Sequence, residues 1–164
     1  MSVDFFEKCQ PLNDKIFGIR DGESDSSLSY IDKDNVDKWI AVVHNEESKM
    51  LEFCPIDHKI KWSLENGQKA KSCDCMLSYN ERTVVLFIEL KDQKPYNMQW
   101  RVKAEEQLKS TIEFFRQNHQ DHFIIKAYIC NRQALLDVGV EEYLERFKCE
   151  TGVTLRVYRE IFIK

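Results

Sequence analysis

The order of apolar patterns along the chain predicts a mixed α/β domain, with a central β-sheet of about five or six strands flanked by helices. Three observations carry this expectation. Thr83–Leu90 reads Thr-Val-Val-Leu-Phe-Ile-Glu-Leu, apolar on both faces, as a central strand covered on each side must be. Between Trp100 and Asn118, Trp100, Ala104, Leu108, Thr111, Ile112 and Phe115 recur at helical spacing. Val153–Tyr158 alternates cleanly and predicts a half-buried final strand.

The remaining elements follow in chain order. Residues 1–35 carry only short apolar patches, Phe5-Phe6 and Ile16-Phe17-Gly18-Ile19, and Asp21–Ser27 forms a polar, turn-prone loop. Trp39–His44 and Lys49–Ile56 are apolar runs separated by Asn45-Glu46-Glu47-Ser48, which predicts an antiparallel hairpin. Ser72–Tyr79 is a third strand, followed by the apolar strand at 83–90. After Lys94-Pro95 comes the long helix, then a strand over His122–Cys130 and a short helix over Val140–Phe147. No repeat and no linker composition interrupts the run. The expectation is one domain over residues 1–164, with its core at about 50–164 and an N-terminal extension over 1–38.

Composition bounds the function. The chain has 164 residues, and its 10 Phe, 6 Tyr and 3 Trp exclude a disordered, solvating polymer. No run reaches the ~18 apolar residues of a membrane span. Met1-Ser2-Val3-Asp4 opens no signal peptide, so the expected setting is cytoplasmic, with no membrane partner. The 24 Lys+Arg against 28 Asp+Glu exclude a general nucleic-acid coat, which needs a basic surface. With only five Gly there is no phosphate-cradling P-loop. The six Cys read as reduced thiols. Cys73-Asp74-Cys75 is the one close pair; on a strand both thiols point away from Asp74, as buried small side chains or, alternatively, zinc ligands. His44, His58, His119 and His122 are scattered and build no nucleophile motif.

Chemistry concentrates where charge meets the apolar strand. Glu89 and Lys91 close that strand, and Asp74 lies near the start of the one before it. In an antiparallel hairpin, opposed residues keep a constant sum of position numbers. A symmetric turn around Glu81-Arg82 therefore sets Asp74 opposite Glu89, with Cβ atoms about 4.5–5.5 Å apart. Lys91, two residues on, shares Glu89's face. Glu81-Arg82 lacks the Gly or Asn that tight hairpin turns favour, and a bulge would move Asp74 to the other face. Two carboxylates brought together call for neutralisation, by Lys91 or by a divalent cation. Hard carboxylate oxygens suit Mg²⁺, or Mn²⁺, bound to Asp74 and Glu89.

Asp74, fourteen intervening residues, then Glu89-Leu90-Lys91 at the end of an apolar strand resembles the PD-(D/E)xK nuclease superfamily, which includes restriction endonucleases and Holliday-junction resolvases. The resemblance covers about 60 residues, over 72–130. It implies a restriction endonuclease-like core and a metal-dependent nuclease that cleaves phosphodiester bonds, in DNA ahead of RNA, in bacterial defence or repair. It also implies that Gln107, on the following helix, is an active-site amide, so that Asp74, Glu89, Lys91 and Gln107 form the catalytic set. Cys73 stands where many members carry Pro. The upstream acid is Asp57 or Glu65. Lys94, Arg101, Lys103 and Lys109 surround the site in sequence as phosphate contacts. A chain this short has no separate recognition domain, so sequence specificity comes from a homodimer, from a partner subunit, or is absent. The competing expectation is a non-catalytic binding or assembly subunit on the same fold.

Overall fold

A computed structural model describes residues 2–94, 99–133 and 141–164. The chain forms β1 (Gln10–Leu12), β2 (Ile16–Arg20), β3 (Tyr30–Asp32), β4 (Ala41–His44), β5 (Leu51–Pro55), β6 (Cys75–Tyr79) and β7 (Val84–Lys91). Then come α1 (Gln99–Asn118), β8 (Ile124–Asn131), α2 (Glu141–Thr151), β9 (Thr154–Val157) and β10 (Glu160–Phe162). Pro95 and Val140, used above to mark helix starts, lie outside the described residues.

The strands build two sheets. The larger runs β1-β5-β6-β7-β8-β9, antiparallel up to β7 and parallel from β7 through β9. The smaller runs β10-β4-β2-β3. Helices cover one face of the large sheet, and the small sheet covers the other. Alternation along β7 explains why it is apolar on both faces from Val84 to Ile88: Val85 and Phe87 pack with Trp100, Leu108 and Phe115 of α1, whereas Leu86 and Ile88 pack with Phe17 and Ile19 of β2. Phe115 anchors the helical layer. Its ring meets Phe5, Phe87 and Phe123 edge-on at centroid distances of 5.0–5.2 Å, a favourable aromatic geometry.

Several expectations need correction. The runs at 39–44 and 49–56 are not a hairpin, because β4 lies in the small sheet and β5 in the large one. The connecting Asn45 is fully buried; its side-chain amide donates to the Asp14 and Lys49 carbonyls, which tie the crossover between sheets. The N-terminal segment contributes β1 to the larger sheet and β2 and β3 to the smaller. Gly18 of β2 accommodates the Trp39 ring, since a Cβ there would lie 2.0 Å from Trp39 Cγ. Cys73 and Cys75 do not share a face either: β6 starts only at Cys75, so Cys73 joins the helix-side core and Cys75 the inter-sheet core. The cysteines are not all free thiols, for Cys9 and Cys54 form a disulfide. Pairing of β1 with β5 brings these distant positions together, which no local spacing reveals.

The β6–β7 hairpin keeps the expected register, from Cys75↔Ile88 to Tyr79↔Val84. Its turn works without glycine. Asn80, Glu81 and Arg82 adopt φ of 52°, 56° and 67°, and the Thr83 N–H donates to the Asn80 carbonyl at 3.1 Å. Left-handed backbone costs non-glycine residues roughly 1–2 kcal/mol each. Tertiary contacts offset it: Arg82 makes a two-pronged pair with Glu52, at 2.8 and 3.1 Å, and lies over the Phe6 ring. No described helix is long and apolar enough to cross a membrane.

Candidate functional site

Register and alternation assemble the site. Asp74 sits one residue before β6, where the ladder's register continues opposite Glu89. The Asp74 N–H donates to Glu89 Oε1 at 3.1 Å, and the Leu90 N–H donates to Asp74 Oδ2 at 2.7 Å. Glu89 and Lys91 fall on the helix-facing side of β7 with Val85 and Phe87, as period-two alternation requires. The Lys91 ammonium lies 3.0 Å from Glu89 Oε2 and donates to Gln107 Oε1 at 3.3 Å. From α1, the Gln107 amide donates to the Ser72 carbonyl at 3.2 Å. A continuous polar chain therefore joins residue 74, residues 89 and 91, and the helix.

Burial sets the electrostatics. Asp74 and Glu89 are only 8% and 2% exposed. Burial, then the charge of Glu89, pushes the Asp74 carboxyl well above the ordinary carboxylate range. Burial also raises Glu89, and the Lys91 ammonium pulls it back part of the way. Both shifts have the same meaning: the pair favours a shared proton, or another positive charge in its place, over two bare carboxylates.

The other expected residues divide. Asp57 comes to the site, accepting a hydrogen bond from Ser72 Oγ at 2.8 Å and lying 3.3 Å from His58 Nε2. Glu65 is exposed in the loop after Trp62 and does not line the cavity beside the carboxylates. Lys103 lines that cavity. Lys94 is exposed. Arg101 is buried between the rings of Trp100 and Tyr143, and Lys109 is held by Glu105 and Glu150 on another part of α1.

Sequence reasoning missed contributions from two loops. The β2–β3 loop places Ser29, whose hydroxyl donates to the Asp74 carbonyl at 3.1 Å. It also places Asp21, held above its usual range by partial burial and then by Asp57; its charge in turn reaches Asp74 and Glu89. Nothing local in Asp21-Gly22 signals this, because it depends on the packing of one sheet on the other. The segment before Asp74 brings Lys69, Lys71 and Ser72, which with Lys91, Lys103 and Gln107 enclose a cavity of about 420 Å³. Two Lys immediately upstream of the acid were the available signal.

Among the described residues no three His, Cys, Asp or Glu side chains are grouped to hold a metal ion. Mg²⁺, however, commonly takes one or two carboxylates and completes its shell with water and substrate phosphate. Asp74 and Glu89 fit that demand in chemistry, as paired hard-oxygen donors whose raised carboxyls lack a full countercharge. Comparison with protein-family models, curated proteins and solved structures finds no match to this chain, so its function is argued from these side chains.

Proposed function

We propose that the protein is a metal-dependent nuclease with a restriction endonuclease-like core, acting on phosphodiester bonds of nucleic acid, DNA ahead of RNA. The observation that carries this reading is the contact chain from Asp74 through Glu89 and Lys91 to Gln107, whose last two members line the cavity. Asp74 and Glu89 would hold Mg²⁺ or Mn²⁺, which supplies a water of lowered pKa and positive charge against the phosphate. Lys91 presents an ammonium that neutralises charge developing on the phosphate oxygens. Gln107 is a positioning residue: its oxygen holds Lys91, and its amide nitrogen is anchored on the Ser72 carbonyl. Burial at the strand ends keeps water from screening these charges. The reading includes a cytoplasmic setting, where the Cys9–Cys54 bond would be open to reduction.

One observation favours the alternative, a non-catalytic binding or assembly subunit. Both Glu89 oxygens already have partners inside the protein, the Asp74 N–H and Lys91. One experiment separates the two. The protein is incubated with plasmid, single-stranded DNA and RNA in Mg²⁺, Mn²⁺ or EDTA, alongside Asp74→Ala and Lys91→Ala. The nuclease reading expects metal-dependent cleavage that falls by about 100-fold or more in either variant. No cleavage, together with no divalent-metal binding by calorimetry, refutes it and leaves the alternative.

A further inference from the structure

We propose that the cavity beside the carboxylate pair is a phosphate-binding subsite that grips the backbone of a nucleic-acid strand next to the bond being cut. The inference rests on the nuclease reading and adds the part of the substrate that this wall recognises.

The cavity is locally cationic in a chain of net charge -4. Lys69, Lys71, Lys91 and Lys103 line it, against the single acid Asp57. Two of the four are already engaged, Lys71 with Glu106 and Lys91 with Glu89. The ammonium groups of Lys69 and Lys103 make no hydrogen bond or ion pair among the described residues, so their charges are available to a ligand. Asp57, the one acid of the lining, accepts a hydrogen bond from Ser72 Oγ and lies 3.3 Å from His58 Nε2.

The cations sit on two prearranged arms. Lys103 and Gln107 lie one turn apart on α1, on a rigid helix. The opposite arm is the loop over residues 62–70, closed by backbone hydrogen bonds from Ala70 N to the Trp62 carbonyl and from Leu64 N to the Gln68 carbonyl. Trp62 stacks on Phe114 of α1 at 4.4 Å with rings nearly parallel, which fixes the loop against the helix. Lys91 and Ser72 link the two arms. The volume of about 420 Å³ lies within the range of small-ligand sites, so a phosphate with its sugar can enter. Lysine reads a phosphate as a point charge, without reference to the base. The subsite therefore holds the backbone and carries no sequence preference.

The test uses the full chain and a fluorescein-labelled 16-nucleotide single strand, once as DNA and once as RNA. Binding is followed by anisotropy in EDTA at several salt concentrations. Each single-strand phosphate contact contributes about 0.7 to the slope of log K against log salt. The double variant Lys69→Ala/Lys103→Ala is expected to lower the slope by about 1.4 and to weaken binding at least about tenfold at low salt. Lys15→Ala/Lys148→Ala, outside the cavity, removes the same charge and leaves the slope unchanged. Equal loss on DNA and RNA assigns the contact to the shared backbone; loss on one alone assigns the subsite to that strand type. An unchanged slope on both strands, a control variant as weak as the cavity variant, or no measurable binding by the wild type overturns the subsite. Cleavage in Mg²⁺ and Mn²⁺ is measured in parallel. A reduced slope without wild-type cleavage keeps the subsite and removes the nuclease, whereas cleavage with an unchanged slope does the reverse.

Discussion

Replacing Asp74 by Asn is expected to stabilise the protein at neutral and alkaline pH. Asp74 and Glu89 face each other across the hairpin, and both carboxyls are raised above their ordinary range, chiefly by burial. At an effective dielectric of about 20, two like charges about 5 Å apart repel by roughly 3 kcal/mol. Lys91, 3.0 Å from Glu89 Oε2, offsets part of this, leaving about 2 kcal/mol. The Asn side-chain oxygen can still accept from the Leu90 N–H, so the substitution removes charge and keeps the contact. The direction with pH follows from linkage. A raised folded-state pKa means the folded form binds more protons, so wild-type stability is present below about pH 4 and is lost as pH rises toward the folded pKa. Thermal melts in EDTA between pH 4 and pH 8 should show Asp74→Asn melting about 4–8 °C higher at pH 8, with the gap closing toward pH 4. Added Mg²⁺ should raise the wild-type Tm at pH 8 and leave the variant's unchanged. A variant no more stable than wild type at pH 8, or a gap constant with pH, refutes the electrostatic reasoning.

Three further outcomes test the fold. Gly18→Ala drives a methyl into the Trp39 ring and should cost at least about 1–3 kcal/mol, read as a lowered Tm and a red shift of tryptophan emission; unchanged emission would show that the two do not pack. Phe115→Ala removes the ring central to the helix-side core and should cost about 3–5 kcal/mol in urea denaturation. Cys9→Ala opens a loop spanning 45 residues, for which chain entropy predicts about 4 kcal/mol of lost stability. Dithiothreitol should reproduce that loss in the wild type, and six titratable thiols in the native, non-reduced protein would contradict the bond.

Legibility followed the range of the interactions. Strand β7 and helix α1 were readable because their patterns are local: an unbroken apolar run from Val84 to Ile88, and a repeat of Trp100, Ala104, Leu108 and Phe115. The opposition of Asp74 and Glu89 was readable for a related reason, since a symmetric hairpin turn fixes every pair behind it. That Asn80-Glu81-Arg82 would make such a turn was not readable. It depends on Glu52 and Phe6, which bind Arg82 from elsewhere in the chain. Likewise Arg101 and Lys109 are near the site in sequence, yet helical rotation and local acids take them elsewhere.

By itself, then, the sequence determined the α/β class, the central strand, the long helix, and a carboxylate–carboxylate–lysine set on one face. Period two and period 3.6 are properties of neighbouring residues, and they survive without knowledge of the rest of the chain. Tertiary structure alone decided that a second sheet, not more helices, covers the far face; that Cys9 meets Cys54; that Asp21 and Ser29 stand by the acids; and that Lys69 lines the neighbouring cavity. Those contacts join segments far apart in the chain, and they form only when apolar faces from both sheets are buried together, a pairing no local pattern encodes.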